Sequence, residues 1–412
     1  MLIAKQLEYP SEIREIREAV GQFIEAEVKP RHKALSHLIE EPQTRYDATG
    51  RYVQPIQDAI REIRMASAKA GFYAMCAPPE IGGEGLGYLA WYGVWSKIAE
   101  ETTGPYWMGD AMIAHWASGP SPVLTQISDR CRAEILPELL SGEKTTCFGM
   151  SEPDAGSDAM MMKTRATRVD GGWRIQGSKI WTSYSPYASY CILFAVTNPE
   201  LAKARKGGIS CFLIPTDSPG FEVQRIIKMW GQSGGNEAVL LFNDVFVPEH
   251  HLVGEIDKGF NVAMLGVNLG RVYNSARAIA AASKGLRDAF DYTRQRRTFD
   301  KPLSEYQGLT FPLTESVMDI QCAHLFALHT CHLLDQGHRL NAQLAIMKHQ
   351  ATRAAYVAMD RTMQTFGAIG LTNEMHYSET FLRLRMVNIA DGSNEILKRT
   401  VSNSILSGDF EI

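Results

Sequence analysis

The chain has 412 residues, 45% of them hydrophobic and 21% charged, with a formal net charge of −4. That balance is ordinary for a globular protein and supplies no basic surface for nucleic acid or anionic membranes, and no apolar run nears the roughly 20 residues of a bilayer span. Met1 to Pro10 has neither an apolar targeting core nor an Arg-rich arm. The seven cysteines (Cys76, Cys131, Cys147, Cys191, Cys211, Cys322, Cys331) form no CxxC pair, so reduced thiols in a cytoplasmic protein are expected.

In chain order, residues 11–29 space Ile13, Ile16, Val20, Phe23, Ile24 and Val28 as a helix, with Ser11 as N-cap and Pro30 as the stop. Residues 31–53 are polar and irregular. A second helix, 54–70, carries Ile56, Ile60 and Ile63 and ends before Gly71. Residues 77–85 form a Gly/Pro loop, and helical patterns return over about 88–103 and 121–140. Near 146 short apolar runs begin to alternate with turns. Val169-Asp-Gly-Gly-Trp173 reads as a hairpin, and Tyr190–Val196, Ile209–Pro215 and Ala238–Val247 read as strands, up to Pro248. From about 258 to 406 the pattern is helical again, punctuated by Gly285, Pro302, Pro312, Gly337 and Gly367–Gly370, as in a bundle. Helices, then strands, then helices define the layout.

One loop at the helix-to-strand boundary stands out: Cys147-Phe-Gly-Met-Ser-Glu-Pro-Asp-Ala-Gly-Ser-Asp158. Small residues and hydroxyls there can present N–H and O–H groups to a flavin or phosphate, although a structural turn has the same composition. The string resembles the signature of the acyl-CoA dehydrogenase family. Further segments agree in order and spacing: Gly177-Ser-Lys-Ile-Trp-Thr-Ser183, Arg296-Arg-Thr-Phe299 with Pro302, Leu303 and Gln307, Gln364-Thr-Phe-Gly-Ala368, and Asp391-Gly-Ser-Asn-Glu-Ile396. The resemblance spans essentially the whole chain. It implies a mainly α, α+β fold: an N-terminal α-helical domain (1–145), a central β-barrel-like domain (146–255) and a C-terminal four-helix bundle (256–412).

The same resemblance implies FAD as cofactor and an acyl-CoA substrate. Phe148, Met150 and Ser151 would line the flavin. Gly156 would allow close approach, and Ser157 would lie between FAD and the pantetheine arm. Trp181 would pack on the flavin, where an ordinary core aromatic is the other reading, with Thr182 and Ser183 beside it. Arg296 and Thr298 would bind the FAD diphosphate of a neighbouring subunit, with Phe299, Gln307, Gln364, Gly367 and Ala368; a solvated helix end is the alternative for the Arg294, Arg296, Arg297 cluster. Ser393 and Glu395 complete the cofactor set. Asn268, Arg271 and Gly392 would contact substrate, Arg271 otherwise being a surface ion-pair former. A shared site implies a homo-oligomer, a dimer or a homotetramer, and an electron-transfer flavoprotein would accept the electrons.

Dehydrogenation of a thioester needs a base for the α-proton and a stabilised enolate oxygen. The family's usual glutamate falls at Asp391, one methylene shorter, and a displacement of about 1 Å can cost about a hundredfold in rate. Gly270 occupies the position where a second lineage carries its glutamate, and Ala390 replaces a common tyrosine. Asp391 is therefore expected to act on a non-standard acyl group (branched, cyclic or hydroxylated), unless it merely caps the helix that begins near Ser393. The alternatives are a flavin oxidase or monooxygenase on the same fold, as for nitroalkanes, and a non-catalytic partner subunit. Cys322, His324, His329, Cys331 and His332 lack zinc spacing, so no metal site is expected. Met160–Met162 read as adaptable packing.

Overall fold

The structure is a computed structural model, and it describes residues 9–104, 106–230 and 232–411. Met1 to Glu8, most of the segment behind the targeting expectation, lie outside the described residues. Two compact units emerge. One gathers Met1–Val28, Gly87–Asp110 and Asn268–Ile412; the other holds Lys29–Leu86 and Ala111–Val267.

The second unit is built on an eight-stranded sheet. Its strands are β1 Thr146–Gly149, β2 Arg165–Val169, β3 Gly172–Ser183, β4 Tyr190–Val196, β5 Ile209–Pro215, β6 Phe221–Ile226, β7 Glu237–Pro248 and β8 Leu252–Val253. The path runs β6-β7-β3-β2-β4-β5-β8, with β1 pairing parallel to β4. The expected hairpin closes at Val169↔Gly172, where Gly171 takes a left-handed conformation that glycine adopts without steric cost. β4 has no solvent face. Tyr190, Ile192, Phe194 and Val196 join one apolar cluster with the Asp129–Leu140 helix, while Cys191, Leu193 and Ala195 join the other with Trp173 and Phe242. That is why its sequence is continuously apolar instead of alternating. β6 was not foreseen. Its burial alternates weakly and it lies at the sheet edge.

The first unit packs the long helices Gly259–Gln295 (its C-terminal part, from Asn268), Gln307–Asp335 and Asn341–Phe366 with the shorter Tyr377–Val387 and Asn394–Leu406. The Tyr88–Thr102 helix belongs to this unit. Leu89, Trp91, Tyr92, Val94, Trp95 and Ile98 are buried. Its first turn is capped from another helix, by Asp335 accepting from the Tyr88 and Leu89 N–H groups at 2.5 and 3.0 Å. Of the breakers read from sequence, Gly285 and Pro312 break nothing. Gly285 lies inside its helix, where a Cβ would sit 3.0 Å from Met359 Cε, so it serves close helix packing. Pro312 lies in the early turns of Gln307–Asp335, and its carbonyl accepts from Arg361 Nη1 at 2.7 Å. Ser11 is the first residue of its helix and Pro10 takes the cap position. Pro30 does not end helical structure either: a π-helical segment, Ile24–Val28, precedes it, and Pro30 is the second residue of the helix Lys29–Ala34, where its missing N–H costs least. The 31–53 stretch also holds a short helix, Ser36–Ile39.

Candidate active site

In the second unit the signature loop and β3 are fastened together by a buried ion pair. Lys179 Nζ donates to Glu152 Oε1 at 2.8 Å and to the Met150 carbonyl at 3.0 Å; Lys179 is fully buried and Glu152 is 6% exposed. Glu152 also accepts from the backbone N–H groups of Lys163 and Thr164 at 2.5 and 3.0 Å. Burial alone would push the Glu152 carboxyl up, but the Lys179 charge and these hydrogen bonds hold it below the usual range. The Ile180 N–H donates to the Ser151 carbonyl at 2.9 Å. The loop residues Met150 and Ser151 are thus set beside Ile180, Trp181 and Thr182.

β3 is bulged here. Its register on β7 steps from Lys179↔Leu240 to Thr182↔Ala238, and Trp181 has φ +60°. The bulge turns the indole outward, and Trp181 is 53% exposed, so it is not a core aromatic. Thr182 beside it is buried with its hydroxyl oxygen unpartnered. Ser183 is exposed and donates to Glu237 at 3.4 Å. Phe148 packs edge-on against Trp116 at 4.8 Å. Gly156 and Ser157 lie on the exposed outside of the loop, past a tight Glu152–Ala155 turn. Met162 is buried, with its sulfur 3.7 Å from Lys179 Nζ.

In the first unit a carboxyl is assembled on a strained turn. Asp391 and Gly392 both have positive φ, +52° and +97°. Asn274 Nδ2 donates to Asp391 Oδ2 at 2.7 Å, Arg271 Nε lies 3.5 Å from the Asp391 carbonyl, and Arg271 Nη1 lies 3.4 Å from Asn268 Oδ1. Lys348, fully buried, donates from Nζ to the Gly392 carbonyl at 2.8 Å. Desolvation raises the Asp391 carboxyl to about 6, against the opposing pull of Lys348, Arg271 and Asn274. Burial lowers Lys348 to about 8. Arg271 is only 6% exposed, so it is not a surface ion-pair former.

The cap of the Asn394–Leu406 helix is Ser393, whose Oγ accepts from the Ile396 N–H at 3.4 Å. Asp391 is therefore not the cap. Ser393→Ala is expected to cost about 1 kcal/mol of stability by denaturant titration.

Sequence reasoning missed Asn274 and Lys348. Asn268, Arg271 and Asn274 step three residues at a time along one helix face, a polar stripe that was readable. Lys348 is a single charge among Ala345, Met347 and Ala351, all buried.

The other expected cofactor residues cluster elsewhere in the first unit. Arg296, Phe299, Gln307, Gln364, Gly367 and Ala368 are exposed, and Phe299 is 88% so. Thr298 pairs with Lys301 in a two-stranded ribbon. Tyr292 and Phe366, with ring centroids 4.5 Å apart, join the two helix ends that carry these residues. Arg271 and Gln295 lie on one helix, so at 1.5 Å per residue the Arg296 end is roughly 36 Å from Arg271. One protomer does not bring Arg296 to Asp391. Glu395 is exposed on the first turn of its helix. His324 Nδ1 pairs with Tyr92 at 2.7 Å and His332 with Gln336 at 3.0 Å, so the cysteine–histidine set on Gln307–Asp335 does not converge.

Three family models match in sequence: the acyl-CoA dehydrogenase N-terminal domain over residues 10–143, the middle domain over 147–245 and the C-terminal domain over 257–406. The human mitochondrial short-chain specific acyl-CoA dehydrogenase is 30% identical over 336 residues, 82% of this chain and 80% of that protein. An acyl-CoA dehydrogenase of Bacillus subtilis is 28% identical over 340 residues, 82% and 88% of the two chains. The glutaryl-CoA dehydrogenase of Mycobacterium smegmatis, solved in complex with FADH2, superposes with TM-score 0.82 at 23% identity, covering 99% of this chain and 97% of that one, and so shares the fold. The chain belongs to the acyl-CoA dehydrogenase family, and it is an oxidoreductase of that kind. No helix among the described residues is long and apolar enough to cross a membrane.

Proposed function

We propose that Asp391 is the base in the FAD-dependent dehydrogenation of acyl-CoA that this family performs, and that the substrate carries a branched, cyclic or hydroxylated acyl group. The observation that carries this is the Asp391 carboxyl itself. It is desolvated, raised to about 6, oriented by Asn274 at 2.7 Å and relieved of capping by Ser393. A carboxylate near 6 is ionised at neutral pH yet basic enough to take an activated α-proton. The Asp391 N–H, on a turn pinned by Lys348 through Gly392, is the candidate donor to the thioester oxygen. The shorter side chain and Ala390 leave room for a bulkier α-carbon.

The chain's residues suit FAD. Trp181 offers an open aromatic face, and the buried Thr182 hydroxyl lacks an internal partner, as a group awaiting a flavin would. FAD, when bound, supplies the acceptor for the β-hydride. Phe148, Met150, Ser151 and Ser183 would line it, Gly156 and Ser157 would border the pantetheine arm, and Arg271, Asn268 and Gly392 would hold substrate.

The separation of Arg296 from Asp391 supports a cofactor shared between protomers. Arg296, Thr298, Phe299, Gln307, Gln364, Gly367 and Ala368 would serve the neighbour's FAD in a dimer or homotetramer, and Ser393 and Glu395 would complete the cofactor contacts. Arg296→Glu is expected to weaken FAD retention roughly tenfold to hundredfold and to lower the oligomeric state on size exclusion; unchanged FAD content and mass would remove the shared site. An electron-transfer flavoprotein as acceptor and a cytoplasmic setting complete the proposal, the latter supported by buried thiols at Cys131, Cys147, Cys191, Cys211 and Cys331. A division into domains at 145/146 and 255/256 is supported by the spans of the three family models.

The test is anaerobic titration of the yellow protein with a panel of acyl-CoAs. Bleaching by one class, with slow reoxidation in air, names the substrate. No bleaching by any thioester, with rapid oxygen consumption on a nitroalkane, would replace this reading by an oxidase on the same fold.

A further inference from the structure

Where β7 ends, a short turn, Glu249–His251, brings two histidines against the Asp129–Leu140 helix. His250 Nε2 lies 3.1 Å and His251 Nε2 3.3 Å from the same oxygen, Glu134 Oε2. The other carboxylate oxygen, Oε1, accepts from Arg130 Nε at 3.0 Å. His251 is 6% exposed, and its Nδ1 is 2.8 Å from the Leu213 carbonyl on β5.

A carbonyl oxygen only accepts, so Nδ1 carries the ring proton. In a neutral imidazole the lone pair is then on Nε2, and it faces a carboxylate oxygen that also only accepts. Two acceptors held at 3.3 Å need a cation between them, and the corner has one closed wall, the buried His251, and one open one, Glu134, whose side chain is 42% exposed. Three further features match a metal ion. The ligand atoms of Glu134, His250 and His251 all lie within 4.8 Å of one another. The 3.1 and 3.3 Å separations equal the spacing of adjacent ligands around an ion with bonds of about 2.0–2.2 Å. The Leu213 carbonyl on the far ring nitrogen is the outer partner that holds a ligating histidine in the right tautomer.

We propose that Glu134, His250 and His251 bind a divalent first-row transition-metal cation, such as Zn²⁺ or Ni²⁺, through two imidazoles and one carboxylate. The ion joins the helix to the segment after β7. Ser128, which caps that helix, donates to the His250 carbonyl at 2.7 Å and anchors the same junction. The open positions on the ion face solvent through the exposed Glu134 and take water. None of these residues belongs to the dehydrogenation site, so the two functions are separable.

The test uses tag-free, FAD-loaded protein stripped with EDTA and titrated with Zn²⁺ and then Ni²⁺ against a chromophoric chelator, with melting followed in parallel. One equivalent is expected to bind at micromolar or tighter affinity and to raise the melting temperature. Glu134→Gln and, separately, His250→Asn are expected to bind at least about tenfold more weakly, with FAD content unchanged and with any thiol-bound zinc, at the exposed Cys322 for example, common to all variants. Having two variants guards against one that folds poorly. Absence of stoichiometric binding by the parent, or binding by both variants as tight as the parent's, would overturn the proposal and leave a proton on His251 as the cation of the corner.

Discussion

Asp391→Asn is expected to slow flavin reduction by acyl-CoA by about 10²–10⁴-fold while FAD stays bound. The amide keeps the size of the side chain and can still accept from Asn274, so the geometry survives and only the proton acceptor is lost. Stopped-flow reduction under nitrogen reads this directly, and full retained activity would sink the base assignment. The pH dependence follows from the same residue. The base must be ionised, so kcat/KM should be level above about 6 and fall as pH drops through it. Stability moves the opposite way. The folded carboxyl, at about 6, binds protons more tightly than the unfolded one at 3.8. The contribution of Asp391 is therefore fully present below 3.8 and is lost as pH rises through about 6, a penalty of no more than about 3 kcal/mol. Asp391→Asn should melt higher than the parent at pH 8 and match it at pH 4. An inactive variant that is also more stable is the mark of a desolvated catalytic group, and a merely structural aspartate would not give it.

Lys179→Met is expected to have the largest effect on folding, about 3–5 kcal/mol, because it strands Glu152 as an unpaired charge beneath the signature loop. The measurement is thermal melting together with FAD content, since the same pair fixes Met150 and Ser151 beside Trp181. The double change Lys179→Met with Glu152→Gln removes the stranded charge but keeps an acceptor for the Lys163 and Thr164 N–H groups. It should recover much of the loss. A single variant as stable as the parent would mean that the pair is not needed to hold the loop.

Elements governed by local chemistry were legible in the sequence. The Asp170-Gly171 turn, the apolar β4 run and the long helical segments all follow from turn residues and periodicity. Pro30, Gly285 and Pro312 misled because their neighbours override local preference: a π-helical segment precedes Pro30, a packed helix uses Gly285, and Arg361 binds the Pro312 carbonyl. The site divides in the same way. Asp391 and Arg271 were found through ordered motifs. Asn274 and Lys348 come to Asp391 from 117 and 43 residues away in sequence, and only folding brings them together. Glu152 and Lys179 stood inside quoted motifs, yet their pairing needs β3 laid beside the loop.

The interleaving of the chain through its two units has a consequence for synthesis. The Tyr88–Thr102 helix is apolar nearly all round, and among its partners in its own unit are Leu269, His324 and Asp335. At about 5–20 residues per second, a ribosome needs on the order of 10–50 s to pass from this helix to Asp335. Through that interval Trp91, Tyr92 and Trp95 have no finished bundle to enter, while the residues that build the sheet unit are complete sooner. The nascent chain therefore carries an aromatic helix waiting for its binding partner, a natural client for a holding chaperone.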